Sequence, residues 1–278
     1  MCDIKRYNKN LLPRLEQLRN GDPAYHQHFL AIAAMIVYAG DLHDHEKSQC
    51  IQCILDVGCG LGFLTAMLTK LKIKAVGIDP SQEAITLAQI EHPHVQFFPE
   101  TALKFAKKMH SRGIDLFDQA VLNMVLHSVN DATILEIFSG IKQCLIPGGT
   151  LLLLVPARTW LQQKLIEYVQ DKDMNREEGI MWVYDQLQKK EVELPIKIKD
   201  GEPWPEPILI FNRTLDDYGS LLQKCGFGVV INNFHAETNK FLGSQIIPYW
   251  ELDDYIVNIE LMYRQRHLLM SFVLIDER

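Results

Sequence analysis

Three glycines spaced two apart, Gly58, Gly60 and Gly62, follow the apolar stretch at 54–57, and two carboxylates flank them. Asp56 stands just before the first glycine, and Asp79 closes a second apolar stretch further along. A glycine-rich turn between a strand and a helix lets a ligand press against bare backbone at a helix N-terminus. A third chemically capable residue, His127, follows the later apolar run in "FDQAVLNMVLHSV" at 117–129. Its imidazole can exchange a proton near neutral pH.

The spacing decides which ligand the turn can hold. A dinucleotide fingerprint, G-x-G-x-x-G, needs its third glycine at position 63, which is Phe63. A phosphate-binding P-loop needs Lys-Ser or Lys-Thr after the glycines, and neither pair is there. From Asp56 to Thr69 the chain carries no Lys or Arg. A carboxylate beside a pyrophosphate is repelled, whereas one beside an ammonium is attracted. Asp79, at the end of a strand, is suited to accept both hydroxyls of a ribose. The expected ligand therefore has an adenosine-like ribose, a positive amino group and no phosphate. S-adenosylmethionine (SAM) meets all three conditions.

These residues need a scaffold of alternating strands and helices. Strands are expected at 54–57, 75–79, in "VQFF", in "FDQAVLNMVL" and in "TLLLLVP". The last is a continuous apolar run, as a strand covered on both faces requires. The helix after the glycines carries Leu64, Met67, Leu68 and Leu71 at helical spacing. Ser81 is placed to cap the next helix, and a further helix is marked by Ile134, Ile137, Phe138, Ile141 and Leu145. Such alternation predicts an α/β fold with a doubly wound, mostly parallel sheet. Pro147-Gly148-Gly149 reads as a turn before strand five.

Residues 157–213 break the rhythm. "TWLQQKLIEYVQ" reads as helix, and Val192, Leu194, Ile196 and Ile198 alternate before Asp200-Gly201, a hairpin signal. Thr214 with Asp217 makes a capping-box signature, followed by a face of Tyr218, Leu221, Leu222 and Cys225 and a stop at Gly226. The organisation expected is a helical N-terminal cap at 1–50 and one catalytic domain at 51–278, with 157–213 inserted as a lid or substrate segment. Within the cap, "DPAYHQHFLAIAAMIVYAG" is the clearest helix, and its Tyr25 and His28 could close over the cofactor or simply pack.

Composition excludes several classes. Apolar residues are 47% and charged residues 23%, ordinary for a globular protein. A net charge of −7 provides no basic footprint for nucleic acid. The Lys104–Lys108 cluster with Arg112 reads as a solvated helix face. No apolar stretch is long enough to span a bilayer. Six cysteines without secretory features point to reduced thiols in a cytoplasm. His43, His45, Cys50 and Cys53 lie close together, but no second CxxC exists, so this stretch reads as a polar linker with no metal site.

The sequence resembles the class I, Rossmann-like, SAM-dependent methyltransferases. The resemblance rests on "LDVGCGLG", "GIDPS", "FDQAVLNMVLHSV", "LIPGGTLLLLVP", "YGSLLQKCGF" and "RHLLMSFVLIDER", in order. It covers roughly 51–156 and 214–278. It implies a seven-stranded sheet whose last strand runs antiparallel to the others. It also implies that Asp56, Gly58 and Gly60 hold the methionine part of SAM, with backbone contact from Cys59. Asp79 would take the ribose and Pro80 would pack beside the adenine. Thr101 and Ala102 occupy a place where many relatives carry Asp-Ala. Thr101 departs from that pattern, so either Thr101 or Glu100 would bond the adenine amino group. Asn123 and Met124 would line the cofactor through backbone and packing.

His127 lies beyond strand four, at the sheet edge where wound folds place ligands. It would serve as a catalytic base, orient the acceptor, or cap the following helix. Trp160, Trp182, Tyr184 and Trp204 are candidate pocket walls or plain core. The expected reaction is methyl transfer to a small-molecule oxygen, nitrogen or carbon nucleophile. A nicotinamide oxidoreductase, a SAM-binding regulatory pseudo-enzyme and a protein methyltransferase are the alternatives. Strand four ends Asn123-Met124-Val125-Leu126, which lacks the Pro-Pro-aromatic ending of amide and nucleobase N-methyltransferases.

Overall fold

The structure is a computed structural model that describes residues 53–156, 158–194, 207–235, 240–246 and 267–274. The expected N-terminal cap with Tyr25 and His28, the His43–Cys50 stretch, Asp200-Gly201 and Trp204 lie outside them, as does the side chain of Trp160.

The glycine turn joins β1 (Cys53–Val57) to α1 (Phe63–Lys70). Then follow β2 (Lys74–Ile78), α2 (Gln82–Glu91), β3 (Gln96–Phe98) and α3 (Ala102–Met109). β4 (Phe117–Asn123) leads through a short helical turn at Leu126–Ser128 to α4 (Asp131–Cys144) and β5 (Leu145–Pro156). The five strands pair in parallel in the order β3-β2-β1-β4-β5. Beyond β5 the chain forms α5 (Arg158–Asp171), α6 (Arg176–Gln188), β6 (Glu191–Leu194), β7 (Ile208–Phe211) and α7 (Leu215–Lys224). β8 (Phe227–His235), β9 (Lys240–Ile246) and β10 (His267–Leu274) complete the main sheet.

β10 runs antiparallel between β5 and β8, as the family resemblance implies for the last strand. The sheet nevertheless has eight strands among the described residues, one more than expected. The extra strand is β9, which pairs antiparallel with β8 at the sheet edge. Its sequence, "KFLGSQI", mixes Lys240, Gly243, Ser244 and Gln245 with few apolar residues. An edge strand can be this polar, so no apolar run betrays it.

The core lies on both faces of the sheet. One face packs Leu55, Val57, Ala120 and Leu122 against Phe105, Phe138 and Ile141 of α3 and α4. The other packs Ile54, Val121, Leu152 and Leu154 against Leu64 and Leu68 of α1. Leu71 departs from the expected apolar stripe and is exposed, because α1 ends at Lys70. Thr65 and Ala66 are buried instead. The Pro147-Gly148-Gly149 turn sits inside the paired span of β5: Leu145 faces Phe117 and Thr150 faces Gln119, so the turn loops out as an irregularity. Ser81 accepts a hydrogen bond from the Ala84 N–H, and Thr214 and Asp217 form the full capping box.

The expected hairpin is present as β6 paired with β7, a separate two-stranded sheet. Val192 and Leu194 are buried with Leu161, Leu165, Val183 and Ile210, so segment 157–213 has an apolar cluster of its own. Trp182 packs on the Tyr168 ring beside that cluster, while Tyr184 is exposed.

Candidate active site

The turn after β1 adopts the left-handed backbone at each glycine, with φ of 75° at Gly58, 54° at Gly60 and 76° at Gly62. A Cβ at Gly58 would overlap the Val125 side chain, in the segment after β4. A Cβ at Gly62 would overlap the Phe97 ring of β3. The glycines therefore serve both the turn and the close approach of three strand ends, at the carboxyl edge of the parallel sheet.

Four amide donors of this turn are engaged within the protein. The Gly58 and Cys59 N–H groups both donate to the Ile78 carbonyl, at 2.7 and 3.1 Å. Gly60 N–H donates to Asp79 Oδ2 at 3.1 Å, and Gly62 N–H to the Cys59 carbonyl at 2.9 Å. A phosphate cradle needs such donors aimed at the ligand. Four donors of this turn are instead engaged within the protein.

Two buried carboxylates face this turn. Asp56 is 1% exposed, and its Oδ2 accepts a 2.6 Å hydrogen bond from Thr65 Oγ1. Asp79 is 6% exposed; Oδ1 accepts from the Ser81 N–H at 2.8 Å and Oδ2 from Gly60. Burial pushes the Asp56 carboxyl up to about 7, against the bond from Thr65 and with some help from the Asp79 charge. Burial likewise raises Asp79 to about 6, opposed by its two backbone donors. Burial also drives the Cys59 thiol well above its ordinary value, so the thiol stays protonated at neutral pH. A site holding two carboxylates with no basic partner among the described residues suits a ligand that brings positive charge and hydroxyl donors.

The other candidates divide. Pro80 is exposed next to Asp79. Thr101 is the N-cap of α3, its hydroxyl accepting from the Lys104 N–H at 3.4 Å. Ala102 is buried against Gly140 of α4. Glu100 carries a bidentate bond from Arg112, at 2.8 and 2.9 Å, and another from Lys108 at 2.6 Å. Those bonds, Arg112 first, hold its carboxyl below the ordinary range. Lys108 and Arg112 thus belong to an ion-pair cluster, where a solvated face was expected. Asn123 ends β4, and its Oδ1 is buried without a hydrogen-bond partner among the described residues. Met124 takes φ of 58°, a left-handed conformation rare for a side chain of this size and a mark of functional segments.

His127 is half-buried in the helical turn beyond β4. That turn is fastened by Arg213, which sequence reasoning did not single out. Arg213 donates to the Leu126 carbonyl at 2.9 Å, the Val129 carbonyl at 2.7 Å and Asp131 Oδ1 at 2.8 Å. It also lies over the Phe211 and Tyr218 rings. Thr65 was missed as well. Its only sequence signal is a hydroxyl within an otherwise apolar buried stretch of α1.

The family described as "Methyltransferase domain" matches residues 5–190, and the chain belongs to it. The mitochondrial ubiquinone biosynthesis O-methyltransferase of Rattus norvegicus is 35% identical over 130 residues, covering 44% of this chain and 36% of that protein. The chain thus spans about a third of the length of the curated ubiquinone biosynthesis enzymes it matches. An uncharacterized methyltransferase of Synechocystis sp. is 26% identical over 197 residues, covering 66% of this chain and 71% of the relative. In fold the chain is similar to SAM-bound CalS10, an amino pentose methyltransferase of Micromonospora echinaspora. The TM-score there is 0.52 at 13% identity, covering 94% and 96% of the two chains.

Proposed function

We propose that this chain is a SAM-dependent methyltransferase acting on a small-molecule acceptor. One observation carries the reading: two buried carboxylates, with no basic partner among the described residues, flank a glycine turn that engages four of its amide donors within the protein. SAM fits that donor set, because it brings an ammonium and two ribose hydroxyls and no phosphate. Asp56 would hold the amino-acid part with the backbone of Gly58, Cys59 and Gly60. Asp79 would hold the ribose, with one lone pair on each oxygen beyond those engaged by Gly60 and Ser81.

When bound, SAM supplies a methyl group on an activated sulfonium sulfur. The work of the chain is then to align an acceptor with that methyl and keep water out, which can lower a barrier by several kcal/mol. His127, at the sheet edge, would accept the proton of a hydroxyl or amine acceptor. The names of the rat, mouse and human relatives favour a hydroxyl acceptor. Segment 157–213 would provide acceptor contacts; Arg213 supports this, since it ties the end of that segment to the carbonyls flanking His127.

Titration calorimetry with SAM, S-adenosylhomocysteine (SAH) and NAD tests the reading. Heat with the first two and none with NAD is expected. Tight NAD uptake with no heat from SAM or SAH would overturn it in favour of a nicotinamide oxidoreductase.

A further inference from the structure

The turn that carries His127 closes on itself, and its shape alone does not fix its place in the fold. Within it, the Ser128 N–H and hydroxyl both donate to the Val125 carbonyl, at 3.2 and 2.8 Å. Its N-cap residue, Val125, makes no side-chain capping bond. Just before the turn, the Met124 N–H donates to the Leu154 carbonyl at 2.8 Å and so anchors the chain to β5. Just after it, Asn130 accepts from the Thr133 N–H at 3.0 Å, a bond local to α4. Val125 also fills the space over Gly58, where a Cβ would lie 2.4 Å from its Cγ2. The His127 turn therefore abuts the glycine turn on one side.

On the other side stands Arg213, more than eighty residues further along the chain. Its Nη1 donates to the Leu126 carbonyl at 2.9 Å and its Nη2 to the Val129 carbonyl at 2.7 Å. These two acceptors bracket His127, so one planar guanidinium sets the spacing of the backbone that bears the imidazole. A guanidinium presents its donors in a rigid fork, which an ammonium does not. The Arg213 side chain is 6% exposed, whereas that of its carboxylate partner Asp131 is 69% exposed. An ion pair to so exposed a carboxylate contributes little, which leaves the two carbonyl bonds as the contact that matters.

Arg213 is held in turn from the segment before it. The Phe211 ring of β7 lies 4.9 Å from its guanidinium and the Tyr218 ring of α7 5.8 Å. Side chains alternate along a strand, so Phe211 points away from Ile210 and from the segment's own core with Val192 and Leu194. Asn212, between them, donates its N–H to the Lys190 carbonyl at 2.8 Å and its Nδ2 to the Leu187 carbonyl at 2.9 Å. Three consecutive residues thus join the hairpin and the end of α6 to the His127 turn.

We propose that Arg213 is a positioning residue for methyl transfer. It sets where His127 stands relative to the glycine turn, and it does so from the segment that would meet the acceptor. The fork to the two carbonyls does the positioning; the charge pair with Asp131 does not. The proposal deepens the methyltransferase reading and rests on it.

The test follows the His127 ring by NMR in histidine-labelled protein, its signal identified by its loss in His127→Asn. In Arg213→Met that signal is expected to shift, with and without SAH, while the signals of His92, His94 and His110 stay in place. Arg213→Lys keeps the charge and guards against a variant that does not fold. It is expected to leave the signal displaced, by less than Arg213→Met does, since an ammonium cannot bridge both carbonyls. Asp131→Ala, which removes the exposed carboxylate alone, is expected to move the signal far less than Arg213→Met. The positioning role is overturned if the His127 signal keeps its wild-type place in both Arg213 variants. It is equally overturned if the three remote signals move with it in both, or if Asp131→Ala moves it as far. Wild-type protein that gives no calorimetric heat with SAH overturns the methyltransferase reading itself, even where the His127 signal moves as expected.

Discussion

Replacing Asp56 by Asn separates the stability of this fold from its proposed ligand affinity, and the two should move in opposite directions. Burial lifts the Asp56 carboxyl from 3.8 to about 7. That is about 3 pH units, or about 4 kcal/mol by which the unliganded fold resists ionising this group. The sign follows from proton binding. Between pH 4 and 7 the folded chain holds a proton that the unfolded chain has released. The contribution to stability is therefore fully present below about pH 4 and lost as pH rises through about 7. A neutral Asn carries no such penalty. Without ligand, Asp56→Asn should be more stable than wild type at pH 8 by about 4 kcal/mol, since the net rise to about 7 already includes the opposing bond from Thr65. Near pH 4 the two should be nearly equal. Ligand affinity should go the other way. Wild-type affinity for SAH should fall about tenfold from pH 8 to pH 6, because only the ionised carboxylate attracts the ammonium. The variant should bind about a hundredfold more weakly at pH 8 and lose the Asp56 part of this pH dependence. Urea unfolding at pH 4 and 8 and calorimetry across pH 6–8.5 measure both arms. A variant less stable than wild type at pH 8, or one binding SAH within threefold of wild type at that pH, would refute the reasoning.

Two further substitutions test the scaffold. Gly62→Ala forces a side chain into a left-handed residue and against the Phe97 ring. It should cost about 2–4 kcal/mol by urea unfolding, with Phe97→Leu in the same chain recovering only the part due to overlap. Arg213→Met leaves the Leu126 and Val129 carbonyls without their donor and should cost about 2–4 kcal/mol, while Arg213→Lys recovers less than half, since an ammonium cannot fork to three acceptors. A loss below about 0.5 kcal/mol for Arg213→Met would show that the turn carrying His127 is held by other contacts.

What could be read in advance was local. Gly58, Gly60 and Gly62, the carboxylates before and after them, the alternation of apolar runs and the caps at Ser81 and Thr214 all act within a few residues of themselves. Backbone preference, periodicity and charge sign are properties of short segments, so they survive in a bare sequence. The ligand class followed from the same short-range facts: acid without base, glycine without lysine.

What the tertiary structure decided was partnership across the chain. Glu100 is held by Arg112 and Lys108 from the far end of α3 and the turn after it. β9 joins the sheet edge through backbone pairing that its mixed sequence does not announce. Arg213 reaches the His127 turn across more than eighty residues of sequence. Thr65 meets Asp56 through space that the bare Gly77 of β2 leaves open. Such contacts depend on which strands become neighbours. That is settled by packing the whole core, and no single segment records it.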